Sequence, residues 1–120
     1  MARSLVVKVT CGEDQPEKLS QALTVAATAV AAGVEVSLWL TGDAVRLAVP
    51  GAVPDLGLEH AVPLEQLVGA VLAGGRTTVC TQCAARRGLV QDDLAPGVRI
   101  AGAATFVEES LVPGAQALVY

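Results

Sequence analysis

The chain has 120 residues, a formal net charge of −4 and 52% apolar residues, with Trp39, Phe106 and Tyr120 as its large aromatics. That length suits one domain, 1–120, with a core and one site; the scarcity of aromatics means a core built from Val, Leu and Ala. The longest apolar stretch, residues 22–34, is broken by Thr24 and Thr28 and falls short of the ~20 residues of a membrane span, and no Lys/Arg run extends beyond Arg86-Arg87, which argues against a nucleic-acid partner.

Leu5-Val6-Val7-Lys8-Val9 is rich in β-branched residues and reads as a first strand running out into Cys11-Gly12 and an acidic turn. Pro16 suits the first position of a helix, and Glu13, Asp14 and Glu17 favour the positive end of its dipole. Leu19, Ala22, Leu23, Ala26, Ala27 and Val30 recur at three- and four-residue spacing, and Gly33 can close the helix in a left-handed cap. Val34-Glu35-Val36-Ser37-Leu38-Trp39-Leu40 is a second strand, ended by Thr41-Gly42-Asp43, with one or two helical turns expected over residues 44–49.

Residues 50–62 hold Pro50, Gly51, Pro54 and Gly57 and read as a surface loop. Pro63 opens a helix whose apolar face is Leu64, Leu67, Val68, Val71 and Leu72, with Gly74-Gly75 as the exit. Thr77-Thr78-Val79 make a third strand, stopping at Cys80, and residues 81–87 form about two helical turns before Gly88. Asp92-Asp93 cap or flank a turn before Pro96-Gly97. Val98-Arg99-Ile100-Ala101 is a fourth strand. After Gly102 comes a helix carried by Ala104, Val107 and Leu111, with Glu108-Glu109 as a solvated face, and Ala117-Leu118-Val119 is the last strand. Strands alternating with helices specify an α/β fold of three layers, α/β/α, with a mostly parallel five-stranded sheet. Ligand sites in such sheets gather at the carboxyl ends of the strands, where Cys11 and Cys80 fall.

Met1-Ala2-Arg3-Ser4 leads straight into the first strand without the apolar segment of a secretory signal, so a cytoplasmic protein is expected. There, three cysteines suit reactive-thiol or metal chemistry better than a disulfide framework. The apolar excess over what a short chain can bury points to a homo-oligomer.

Chemistry centres on Cys80. A cysteine just before a helix meets unpaired backbone N–H groups and the positive end of the dipole, which favour the thiolate. Cys83, three residues on, shares its helical face, within reach for disulfide exchange or sulfur transfer. Arg86 and Arg87 follow one turn later, where at least one can hold an anionic sulfur substrate or partner while the other faces solvent.

The segment Val79-Cys80-Thr81-Gln82-Cys83-Ala84-Ala85-Arg86-Arg87-Gly88-Leu89 resembles the cysteine segment of the DsrE/DsrF-like family, especially its YchN-type members with Cys-x-x-Cys-x-x-x-Arg-Gly. The early strand near Cys11-Gly12, the Leu38-Trp39-Leu40-Thr41-Gly42-Asp43-Ala44-Val45 segment, and the strand, Gly102, helix and final strand resemble the family's order over essentially the whole chain. In the sulfur-relay members, DsrE and TusD, the cysteine that Cys80 resembles carries sulfur as a persulfide and passes it to a partner protein. The resemblance therefore implies a sulfurtransferase-like persulfide carrier, with sulfur donor and acceptor proteins or a small persulfide as partners. A trimer or hexamer is favoured by the YchN likeness. Cys83 matches the YchN-type pattern and not the single-cysteine relay pattern.

Other readings compete. Zinc in a structural site wants about four ligands, so Cys80, Cys83, Cys11 and His60 would have to converge from separate segments; His60 reads instead as a solvated loop residue. A thioredoxin-like reductase uses two cysteines at this spacing, but Thr81-Gln82 lacks its Gly-Pro dipeptide and preceding Trp. Cys11 reads as filler after a buried strand more than as a third participant, and Asp43, near the rim, can assist a site, although turn formation accounts for it as well. The expectation is sulfur handling on Cys80 with no metal or organic cofactor required, Cys83 resolving the persulfide or forming a protective disulfide. Thiol redox or peroxide response through a Cys80-Cys83 disulfide, and a non-catalytic oligomeric module binding a small ligand, are the alternatives.

Overall fold

The computed structural model describes residues 3–120. Its strands are β1 (Ser4–Val9), β2 (Glu35–Leu40), β3 (Arg76–Cys80), β4 (Arg99–Ala101) and β5 (Ala115–Val119). Its helices are α1 (Pro16–Ala31), α2 (Leu64–Gly74), α3 (Thr81–Arg86) and α4 (Ala103–Ser110), with 3-10 segments at Gly42–Ala48 and Gln91–Asp93. The turns expected over residues 44–49 thus take the tighter helical form and begin at Gly42.

Every strand pair is parallel, in the order β4-β3-β2-β1-β5. From β1 to β4 the chain steps steadily toward one edge; the last connection reverses direction and sets β5 beyond β1. Because parallel crossovers are right-handed, that reversal puts α4 on the face opposite α1 and α2. The result is a five-stranded sheet with helices on both sides, as the alternation of elements implies.

The two faces are built differently. On one, Val7 and Val9 of β1, Leu38 and Leu40 of β2 and Val79 of β3 pack against α1 and α2. Each such side chain contributes about 1.5–3 kcal/mol on full burial, so this face carries most of the fold's stability. Pro16 occupies the first turn of α1, whose buried Leu19, Ala22, Leu23 and Ala26 keep the expected spacing. Gly33, at φ 81°, turns the chain from α1 into β2 in a conformation that a Cβ would disfavour.

The second face is covered by α4, and here two expectations fail. Val107 and Leu111 are 51% and 76% exposed, with Ala104 also outward; Thr105, Phe106, Glu109 and Ser110 are the half-buried positions. Glu109, expected on a solvated face, has a side chain only 15% exposed, and only Glu108 meets solvent. The cause lies in the sheet beneath: β2 and β4 present Ser37, Trp39 and Arg99, whose polar groups need an acceptor above them. The carboxylate of Glu109, not an apolar stripe, therefore sets the rotation of α4.

Candidate functional site

Cys80 ends β3 and is also the residue that caps α3. Its register partner is Ala101, the last residue of β4, from which the chain passes through Gly102 into α4. The side-chain alternation of β3 puts Arg76, Thr78 and Cys80 on the α4 face of the sheet. Cys80 is half-buried, as is Cys83, which packs against the α1/α2 core.

Cys80 makes no formed side-chain cap to α3; its sulfur lies among donors that favour negative charge on it. Burial is the largest single influence on this thiol and opposes ionisation. The backbone N–H of Cys83, the Cys83 thiol, the backbone N–H of Gln82 and the positive charge of Lys8 together outweigh it, holding Cys80 below the ordinary thiol value. A thiol so placed is a better nucleophile at neutral pH than a free cysteine.

Cys11 is the opposite case. It is 5% exposed within the α1/α2 core, and burial, ahead of the opposing charge of Lys18 and the reinforcing charge of Asp14, pushes its thiol up. The strand it follows, β1, is separated from β3 by β2. Among the described residues no group of three or more His, Cys, Asp or Glu side chains is gathered closely enough to hold a metal ion. Cys80, Cys83, Cys11 and His60 thus do not converge. His60 is exposed in the loop, at a positive φ of 63°.

The two arginines part company. Arg87 is tied down: its Nε and Nη2 each lie 2.9 Å from Asp43 Oδ1, and its Nη1 donates to the Cys83 carbonyl at 3.1 Å. Asp43 is thereby more than a turn residue, since it fastens the segment after β2 to the end of α3. Gly12 lies against this brace, where a Cβ would sit 2.7 Å from the Asp43 Cβ. Arg86, in the last turn of α3, is exposed and open to an anion.

Sequence reasoning missed the polar hub under α4. Glu109 Oε1 accepts from Ser37 Oγ at 2.5 Å and from Trp39 Nε1 at 3.0 Å. Its Oε2 pairs with Arg99 and lies 3.6 Å from Arg76. Arg99 Nε donates to Thr78 Oγ1 at 2.7 Å. Burial first and Arg76 second pull the Arg99 guanidinium below its ordinary value, but it keeps its charge at neutral pH. Lys8, on β1, lies in the same sheet face with its Nζ 4.8 Å from the Phe106 ring centroid. Such a cation–π contact is worth about 0.5–2 kcal/mol. The available signal was a lysine inside a β-branched interior strand; Glu109 gave less, because its partners Ser37 and Trp39 lie 72 and 70 residues away.

A cavity of ≈ 340 Å³ opens at the amino ends of the strands, beside Ser37, Arg76 and Glu109, and one of ≈ 240 Å³ at the carboxyl rim beside Gly12, Asp43 and Arg46. Cys80 lines neither. Among the described residues no helix is long and apolar enough to cross a membrane.

The fold and this site define a parallel α/β protein with a half-buried cysteine where a strand hands over to a helix. The model of the DsrE/DsrF-like family matches residues 4–111, and the chain belongs to that family. An uncharacterized protein of Methanocaldococcus jannaschii, MJ0989, is 34% identical over 101 residues, which cover 78% of this chain and 82% of the relative. The crystal structure of the YchN protein from E. coli superposes with a TM-score of 0.70 at 19% identity, covering 100% of both chains. The structure of MTH1491 from Methanobacterium thermoautotrophicum, a protein of unknown function, gives 0.65 at 14% identity with the same coverage. At those identities the two structures speak for the fold alone. Family membership carries a general connection with sulfur relay.

Proposed function

We propose that the protein accepts sulfane sulfur on Cys80 and passes it on as a cysteine persulfide. The observation that carries this reading is the placement of the Cys80 sulfur. The residue is half-buried where β3 ends and α3 begins, and the backbone N–H groups of Gln82 and Cys83 and the Cys83 thiol favour negative charge on its sulfur. Membership of a sulfur-relay-related family supports it. In the step proposed, the Cys80 thiolate attacks the outer sulfur of a donor persulfide, R–S–SH. A new S–S bond forms on Cys80, the donor S–S bond breaks, and its electron pair leaves on R–S⁻, so no external oxidant or reductant is consumed. Delivery is the same exchange with an acceptor thiolate attacking the outer sulfur.

Donor and acceptor are proteins or a small persulfide, and Arg86 is the cation left to meet an anionic group on either. Arg87 acts by holding the Cys83 carbonyl and thus the geometry of the Cys-x-x-Cys turn. The protein works in a reducing cytoplasm, and it does so as a homo-oligomer that covers the outward apolar residues of α4.

The test is to incubate the reduced protein with a persulfide donor and locate added sulfur by peptide mass spectrometry. One retained sulfur on Cys80, lost in Cys80→Ser and kept in Cys83→Ser, is expected. Absence of sulfur from Cys80 in the folded wild-type protein would overturn the proposal. The position of Cys83 in the first turn of the helix that Cys80 caps favours one second reading, a reversible Cys80-Cys83 disulfide. Rapid closure of that disulfide by mild oxidant, with no persulfide retained, would select it.

A further inference from the structure

We propose that Lys8 is the counter-charge of the Cys80 sulfur anion, its ammonium held on the α4 face of the sheet by the ring of Phe106. The inference rests on the reading of Cys80 as a sulfur nucleophile and adds to it a residue from a strand that is not adjacent. Lys8 registers with Trp39, and Trp39 with Thr78, so the three side chains form one row across the sheet. Cys80 lies two residues beyond Thr78 on the same strand and the same face. From strand spacing and rise, the Cα atoms of Lys8 and Cys80 are about 12 Å apart, a gap of which an extended lysine side chain spans about half. The ammonium is not free to wander, because Phe106 lies beneath it and meets Trp39 edge to face at 5.5 Å. Phe106 in turn sits in the first turns of α4, which departs from the strand end beside Cys80.

The charges around Lys8 make an anion the missing partner. Arg99 and Arg76 share Glu109, and Arg87 takes Asp43. Among the described residues Lys8 makes no ion pair, although it is half-buried on an interior strand where an uncharged side chain of equal length would pack at lower cost. The titratable groups on the elements around this row are Glu35 of β2, Arg76 of β3, Arg99 of β4, Glu109 of α4, Cys83 of α3 and Tyr120 after β5, which bonds through its backbone to Lys8 and packs toward the α1/α2 core, with Cys80 itself. Of these, Glu109 is already committed to the arginines and Glu35 lies at the amino end of β2, which leaves the sulfur of Cys80 as the acidic group at the carboxyl end of this face to answer the charge of Lys8. The positive field of Lys8 among the influences that favour the Cys80 thiolate agrees with this geometry. The same ammonium would favour the terminal sulfur anion of a loaded persulfide, which carries its charge farther from β3.

The experiment follows alkylation of Cys80 by iodoacetamide against pH in the full chain, read by peptide mass spectrometry, for wild type, Lys8→Met and Lys8→Arg. Lys8→Met should move the Cys80 profile to higher pH and slow the reaction about three- to tenfold at neutral pH, while Lys8→Arg stays close to wild type. Phe106→Leu, which keeps the charge but removes its ring, should give a smaller shift in the same direction. High salt should narrow the gap between wild type and Lys8→Met. Wild-type and Lys8→Met profiles that coincide, with both proteins folded by circular dichroism, would overturn the assignment. If Lys8→Met does not fold, a Phe106→Leu profile identical to wild type overturns it. The reading of Cys80 fails separately, by absence of persulfide on the wild-type protein whatever the Lys8 variants do.

Discussion

Cys80 and Cys11 carry the same thiol in opposite surroundings, and their chemistry should divide accordingly. For Cys80 the folded state prefers the thiolate, so the stability it adds is complete above the ordinary thiol range. That stability is lost as pH falls through its lowered folded value. For Cys11 the folded state prefers the neutral thiol, so its contribution is complete below the ordinary range and lost as pH rises through its raised folded value. Removing one donor from Cys80 should shift it predictably: Cys83→Ser, which replaces a thiol donor by a differently placed hydroxyl, should raise the pH at which Cys80 alkylates without abolishing the reaction. A Cys83→Ser profile unchanged from wild type would show that the second thiol does not touch the first in solution. The place of Cys80 at the end of β3 and the start of α3 was legible in the sequence because a β-branched run, a cysteine and a Cys-x-x-Cys spacing are local features. Lys8 was visible only as a charge in an apolar run, since which face it shares and with whom depends on strand order.

At the level of elements, the rotation of α4 is the feature that the sequence misrepresents. Ala104, Val107 and Leu111 have helical spacing, and apolar periodicity normally marks the buried face. Here the sheet beneath offers Ser37, Trp39 and Arg99, and leaving those donors unanswered costs more than exposing three apolar side chains. Glu109→Gln keeps the shape but removes the charge from Arg99 and Arg76, and should lower stability by about 2–3 kcal/mol in urea unfolding; no change would show that the hub is ornamental to the fold. The brace at the opposite end of the sheet is a surface pair, with Asp43 59% exposed, so Asp43→Asn should cost only about 0.5 kcal/mol. Gly12→Ala, by pushing the Asp43 Cβ away, should loosen Arg87 and the Cys83 carbonyl together. A lower rate of sulfur uptake on Cys80 than the small stability loss accounts for would be its signature. The helices α1 and α2 were readable to within a residue or two because Pro16, Gly33, Pro63 and the buried Leu/Val spacing are themselves local.

Across the whole molecule, parallel pairing throughout follows from alternating strands and helices, but the order β4-β3-β2-β1-β5 does not, because local sequence does not say where the chain reverses. That reversal sets the two faces apart: one a dense aliphatic core, the other a polar floor with Cys80 and Lys8 upon it and a single short helix above. The outward side of that helix and the neighbouring strand edge carry Val107, Leu111, Val112 and Val119, each more than half exposed. Apolar residues grouped in this way mark a surface that association would cover. Leu111→Glu should therefore reduce the assembly to smaller species in sedimentation velocity; a wild-type protein already monomeric at micromolar concentration would refute the oligomer.

The most direct measurement is the pH dependence of alkylation of all three cysteines in the folded, reduced wild-type protein, resolved by peptide. Cys80 should react first, with a midpoint below that of a free thiol, while Cys11 stays protected until the chain unfolds. A Cys80 that titrates at or above the free-thiol value, or that reacts no faster than Cys11, would leave the sheet without a sulfur nucleophile at its rim and contradict the account.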